Sequence, residues 1–274
     1  MIRKAVYAGS FYEDNPAKLK LHMDKWFRDI EAKVNSEAPI GLICPHAGYM
    51  YSGFCAATAY KTLENKDIKT SIIVHPSHRA NHFGLSISPF TEYETPFGNL
   101  LLDGDIAQSL CHESTEVIDA EYHQSEHSME VQLPFLYYLN PNIKVVPIMI
   151  GNQNIRISQV LSEMLIKYTD NETIIIVSSD LSHYHTAEIA KQMDRVLIND
   201  TISLDTDSFY KNIFSRETEA CGFAGILTMM NIAKLLDKSA ITEHMYTHSG
   251  FTSGDFNQVV GYLSASLYRG NNHV

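Results

Sequence analysis

The sequence predicts an α/β protein with a central, mixed but mostly parallel sheet covered by helices. Short β-rich runs alternate with helical patterns along the chain, as crossover-connected parallel strands require. Some runs are continuous in β-branched residues, Ile174–Val177 above all, which marks strands buried on both faces. No repeat, low-complexity tract or Pro/Gly/Ser linker interrupts the 274 residues, so one domain over 1–274 is expected.

The first helix is expected over about Pro16–Val34. Asn15 can cap it, and Pro16 suits the first helical position, where its missing N–H would have no partner anyway. Leu19, Met23, Trp26, Phe27, Ile30 and Val34 recur at helical spacing and mark its apolar face. PIGLIC then reads as a strand, with GFCAATAYKTL as the helix after it. SIIVHP and LSISP are further strands, and KVVPIMIG precedes the helical ISQVLSEMLIKY. TIIIVSS precedes the helical AEIAKQMDRVLIND, and CGFAGILTMMNIAKLL is again helical. Strands at Ile241–His248 and Gln258–Leu267 close the chain as a hairpin that adds antiparallel members to the sheet.

The composition narrows the function classes. A net charge of −11 argues against general nucleic-acid binding, which relies on Lys and Arg against phosphate. The start MIRKAVYAGSFYED has no apolar core after its basic residues, and no apolar run is long enough for a membrane helix. A cytoplasmic protein without membrane attachment is expected. Cys44, Cys55, Cys111 and Cys221 form neither a CxxC pair nor a disulfide framework, which fits a reducing compartment.

The placement of the histidines carries the functional signal. His46 lies just beyond PIGLIC, His75 and His78 lie at the end of SIIVHPSH, and Asp180, His183 and His185 follow TIIIVSS. Three expected strands thus each deliver histidine at the carboxyl end, where open α/β sheets bind their ligands. A single histidine after a strand is ordinarily a loop residue, but three such ends point to a site. His75, closest to a buried run, is expected to be structural. His183 and His185 flank one residue, and only one of them is expected to face the site.

EYHQSEHSMEVQLPF adds His123, Glu126, His127 and Glu130, with four-residue spacings that can share a helix face. Gln124 stands where a zincin needs glutamate, so that pattern is not met. Glu126 and His127 are expected beside the site, orienting a ligand or contacting substrate. Cys44 and Cys55 read as small core residues. Cys221 precedes Gly222 at a helix start, where the helix dipole favours thiolate.

Together these segments resemble the Memo family. CPHAGYMYSG, HPSH, EHSMEVQLP, VSSDLSH, the step Cys221-Gly222 and VVGY at Val259–Tyr262 follow one another in the family's order, with AGSFY and TPFG as further family-like pieces. The Memo family is similar in fold to the LigB-like class III extradiol dioxygenases, which implies a three-layer α/β/α sandwich. Those enzymes hold non-haem iron with two histidines and a carboxylate. Carried over by position, the resemblance implies His46 and His78 as metal ligands, with Asp180 and His183 in the pocket. Some members use a carboxyl-terminal cysteine as third ligand, and counting back from VGY puts Thr252 at that position. A threonine hydroxyl is a poor substitute for a thiolate, so Asp180, His183 or Asp255 is left to complete the set. His46, His78 and Asp180 would form a facial triad suited to ferrous iron.

On this reading iron or copper is the implied cofactor, and a small organic substrate is acted on by a metal-dependent oxidoreductase. Asp180, His183 and His127 would move protons. Gly48 and Gly53 would let the chain turn and approach a ligand closely, while Tyr49 and Tyr51 supply aromatic walls. Tyr49, Tyr51, Glu126, Thr252 and Cys221 are the expected substrate contacts. The alternative is a non-enzymatic module that binds a peptide or partner protein in the same pocket. The resemblance also implies a microbial system with AMMECR-type and radical-SAM proteins as partners. A metal-dependent hydrolase fits less well, because HExxH and GxSxG are both missing.

Overall fold

A computed structural model describes residues 1–31, 37–111, 115–236 and 238–270. Its strands are β1 (Ile2–Arg3), β2 (Gly41–Cys44), β3 (Thr70–Pro76), β4 (Leu85–Ile87), β5 (Glu92–Thr95), β6 (Gly98–Leu102), β7 (Lys144–Ile150), β8 (Thr173–Ser178), β9 (His183–His185), β10 (Ala240–His248) and β11 (Val259–Tyr268). They form one sheet in the order β1-β5-β6-β7-β3-β8-β2-β11-β10, with β4 beside β7 and β9 beside β11. The run β6-β7-β3-β8-β2 is parallel throughout. The closing hairpin β10–β11 joins β2 antiparallel, as the sequence predicts.

The alternation of side chains along the central strands builds two cores, one on each face. Ile72, Val74, Ile175 and Val177 pack with Leu161, Leu197, Ile226 and Met230, from the helices Ile155–Leu165, Ala187–Ser203 and Phe223–Leu235. Ile73, Ile174 and Ile176 pack on the other face with Leu19, Met23, Ala56, Tyr60 and Phe135, from Pro16–Asp29, Tyr49–Tyr60 and Leu133–Leu139. Burying both faces explains why these strands read as unbroken apolar runs. The fold is therefore a mixed α/β sheet flanked by helices, in three layers.

The order β3-β8-β2 decides where the site falls. These three strands are neighbours, and Cys44 pairs in register with Ser178 while Val74 pairs with Val177. The residues that follow each of them leave the sheet at the same edge.

Some elements differ from their sequence expectation. The first helix ends at Asp29, with Ile30 extended, and Val34 lies outside the described residues. The second begins at Tyr49, so Gly53 lies inside it and turns nothing. There its missing side chain makes room for an indole, since a Cβ would sit 2.5 Å from the Trp26 ring. The histidine- and glutamate-rich segment does not form one helix. Ala120–Gln124 and His127–Glu130 are separate, because the Glu126 side chain caps the second by accepting from Ser128 N–H. His123 and His127 therefore share no helix face. His123 is buried, with Nε2 3.1 Å from Ser86 Oγ.

A buried ion pair ties the amino terminus to this segment. Arg3 Nη1 donates to Glu130 Oε2 at 2.6 Å, with both side chains fully buried. The other Arg3 donors reach the carbonyls of His123 (3.0 Å), Gln124 (3.1 Å), Glu126 (2.7 Å) and Lys4 (3.0 Å). Glu130 also accepts from Tyr7 N–H (2.7 Å), Val6 N–H (3.2 Å) and the Tyr12 hydroxyl (2.6 Å). With all these groups satisfied, the pair fixes the path of residues 123–130.

Candidate functional site

His46 leaves β2 two residues after Cys44 and is almost wholly buried. Its N–H donates to Asp180 Oδ1 at 2.8 Å, and Nδ1 lies 2.9 Å from Ser178 Oγ. Ser178 is itself fixed, donating to Ser128 O at 2.6 Å and accepting from Gln132 Nε2 at 2.9 Å. The ring therefore presents Nε2, which lies 3.1 Å from Cys221 Sγ.

His78 leaves β3 and is held by Glu126. Its N–H donates to Oε2 at 2.7 Å and Nδ1 lies 2.8 Å from Oε1, which leaves Nε2 as its available nitrogen. Burial pulls the His78 pKa down, but the hydrogen bond and charge of Glu126 reverse this and leave it raised. Burial likewise pushes Glu126 up, yet His78 holds it well below the usual carboxylate range. His127 Nδ1 stands 3.3 Å from the same Glu126 oxygen, and burial lowers its pKa to about 4. The ring centroids of His46 and His78 are 5.2 Å apart, and those of His78 and His127 4.5 Å.

Cys221 sits just before the helix Phe223–Leu235 and is drawn against the end of β8. Its N–H donates to Asp180 O at 3.2 Å, and the next N–H, of Gly222, donates to Ser179 Oγ at 2.9 Å. A Cβ on Gly222 would lie 2.6 Å from Ser178 O, so only glycine permits this approach. Gln153 clamps the turn, donating to Cys221 O at 2.5 Å and accepting from Ala224 N–H at 3.0 Å. Burial and then the charge of Asp180 push the Cys221 thiol up strongly. The helix start does not offset this, so the expected thiolate is not favoured by the protein alone.

His46, His78 and Cys221 form a group of ligand atoms within 4.8 Å of one another that can hold a metal ion. A second such group, His78, Glu126 and His127, shares His78. His46 and His78 of the first group line a cavity of about 540 Å³, together with His127, Asp180, His183, Tyr51 and Tyr262. Asp180 is buried, and burial raises its pKa to about 7 against the opposing hydrogen bond from His46 N–H. Its Oδ2 is 4.0 Å from His46 Nε2.

Several sequence expectations change here. Asp180 belongs to neither group of possible ligands, and its Oδ1 is engaged by His46 N–H; Cys221 stands with His46 and His78 instead. Thr252 does not stand in for a ligand cysteine. It lies exposed in the short helix Gly250–Ser253 and lines a different, neighbouring cavity. Asp255 lines the histidine cavity but belongs to neither ligand group. Tyr49 does not line the histidine cavity: it packs 5.0 Å from Phe135, its hydroxyl donates to Val131 O at 2.6 Å, and it lines the neighbouring cavity with Thr252. Tyr51 does line the cavity. Glu126 is buried and engaged with His78, where it orients the ring.

His183 lines the cavity, while His185 Nε2 turns to Glu219 at 3.2 Å. A regular strand would point both rings to one side. Tyr184 between them has φ +62°, and this left-handed residue sends them apart. His75 is buried and structural, with Nδ1 3.0 Å from Ser128 Oγ. Ser178, Gln132 and Gln153 gave no sequence signal, since isolated polar residues in apolar runs have many uses.

The fold and this edge define a class: a helix-flanked α/β sheet with imidazoles and a thiol converging at the carboxyl ends of neighbouring parallel strands. A family model described as Memo-like protein matches residues 3–266. The chain belongs to the Memo family. MEMO1 family protein TV1383 of Thermoplasma volcanium is 37% identical over 267 residues, covering 96% of this chain and 97% of that one. A MEMO1 family protein of Sulfurisphaera tokodaii is 37% identical over 280 residues, and one of Methanosarcina mazei 35% over 270, each covering 96% of this chain and 98% of its own. Among the described residues no helix is long and apolar enough to cross a membrane.

Proposed function

We propose that the protein binds iron or copper through His46, His78 and Cys221 and acts as a metal-dependent oxidoreductase on a small organic substrate. One observation carries this reading: three soft or borderline donors from separate elements converge, and the other nitrogen of each imidazole is already held, by Ser178 and by Glu126. Such partners fix ring orientation and leave Nε2 to ligate. The donor set fits. Two imidazoles and one thiolate suit copper or iron better than a hard cation such as magnesium. The bound metal would supply redox or Lewis-acid chemistry at an open coordination position.

The chain's own groups supply the rest. The cavity admits a small molecule beside His46 and His78. His127 is neutral near pH 7 and accepts a proton from a substrate hydroxyl. Asp180 and His183 complete the wall, and the carboxyl of Asp180 titrates near neutrality, where it can return a proton.

The test is metal analysis after purification under reducing, anaerobic conditions, with His46→Ala, His78→Ala and Cys221→Ser in parallel. About one iron or copper per chain in the wild type, falling at least tenfold in each folded variant, is the expected outcome. Oxygen uptake with catechol-like substrates should follow metal content. A wild-type protein that retains no transition metal when offered excess Fe(II) or Cu(I) would overturn the reading.

A further inference from the structure

A second cavity, of about 620 Å³, lies next to the histidine cavity, and Phe11 and Tyr51 line both. Phe11 is fixed at this junction. Its carbonyl accepts from Tyr49 N–H at 2.7 Å, and its ring lies 5.0 Å from that of His127. The second cavity's lining includes the aromatic and thioether side chains of Tyr12, Trp26, Met50, Phe54 and Met245, beside the polar Ser10, His22, Thr247 and Thr252. Its lining also includes Glu13, Asp14 and Lys25, residues of both charge signs.

We infer that this cavity is the subsite for the apolar tail of an elongated aromatic substrate whose reacting head lies over His46, His78 and Cys221. This rests on the function proposed above. A single ring fills only part of about 540 Å³, the size of a pocket for a much larger ligand, and the second cavity adjoins it at the shared residues Phe11 and Tyr51. Met50 and Phe54 project from the first turns of Tyr49–Tyr60 and are 69% and 37% exposed, so their apolar surface is available to a tail. Burial of apolar surface there is the source of added affinity.

The probes are catechol and 4-(3-phenylpropyl)catechol, titrated calorimetrically and anaerobically into the metal-loaded protein. The tail should tighten binding about tenfold or more. In Phe54→Asp, and separately in Met50→Asp, the ratio of the two Kd values should collapse toward one. Both residues are on the exposed side of their helix, and circular dichroism checks that each variant folds. Equal affinity of the two compounds for the wild type, or a ratio unchanged in both variants, overturns the subsite and leaves the head site standing. If neither compound binds the wild type, the proposed head site falls, and the subsite falls with it.

Discussion

Tyr184 holds a left-handed backbone at φ +62° while its side chain is 71% exposed, so packing returns little for the strain. The conformation is what separates His183 from His185, and glycine would adopt it freely. Tyr184→Gly should therefore stabilise the fold by roughly 0.5–1 kcal/mol, the left-handed penalty less the extra entropy glycine loses. A higher urea midpoint at unchanged m-value is the readout; a lower one would show that the side chain packs. His75 gives a pH prediction. Burial lowers its pKa to about 3, whereas an unfolded histidine titrates near about 6.5. Between these values the unfolded chain binds a proton that the native state does not, so stability is lost as pH falls through that window. The slope is at most about 1.4 kcal/mol per pH unit for one group. Denaturation at several pH values from about 4 to 6 should show a flatter slope for His75→Asn than for the wild type. Equal slopes would mean that the ring is protonated in the native state.

At the level of elements, two junctions carry the site. The Arg3–Glu130 pair pins residues 123–130, and with them the carboxylate that orients His78. Glu130→Ala would leave a guanidinium buried without its partner, at about 3–5 kcal/mol, and Glu126 would lose its fixed path. Chemical denaturation measures the first effect, and weaker metal retention at low temperature, where the variant still folds, measures the second. Gly222 is the other junction. A methyl group there would meet Ser178 O and the Ser179 side chain at 2.6 and 2.8 Å, so Gly222→Ala must push the start of Phe223–Leu235 away from β8. We expect a cost of about 1–3 kcal/mol together with loss of Cys221 from the ligand group. Undiminished metal content in that variant would mean that the helix start can move without carrying the thiol with it.

Across the molecule, the proposed metal binding would be linked to folding, because His46, His78 and Cys221 come together only in the native sheet. A metal that binds the native state alone stabilises it by about 2.7 kcal/mol at a hundredfold excess over Kd. Fe(II) or Cu(I), added anaerobically, should raise the unfolding midpoint of the wild type and leave that of His46→Ala unchanged. An equal rise in both would place the ion elsewhere.

The sequence by itself determined the layered α/β class and the edge of the sheet where chemistry gathers. Both follow from short-range pattern: β-branched runs identify strands buried on two faces, and histidine just after such a run must leave at the carboxyl end. That pattern brought out His46, His75, His78 and His183 together, and the resemblance to the Memo family singled out His46 and His78 among them. The third member was not legible. Counting along the chain pointed to Thr252 and to carboxylates, while Cys221 reaches His46 across 175 positions. Its place depends on β8 lying between β2 and β3, on Gly222 fitting against Ser178, and on Gln153 clamping the turn. Each of these is a packing relation between segments distant in sequence, with no periodicity to reveal it. The backbone at Tyr184 is of the same kind, since a left-handed tyrosine leaves no mark in the residue pattern. Local sequence chose the elements; contact between them brought His46, His78 and Cys221 together.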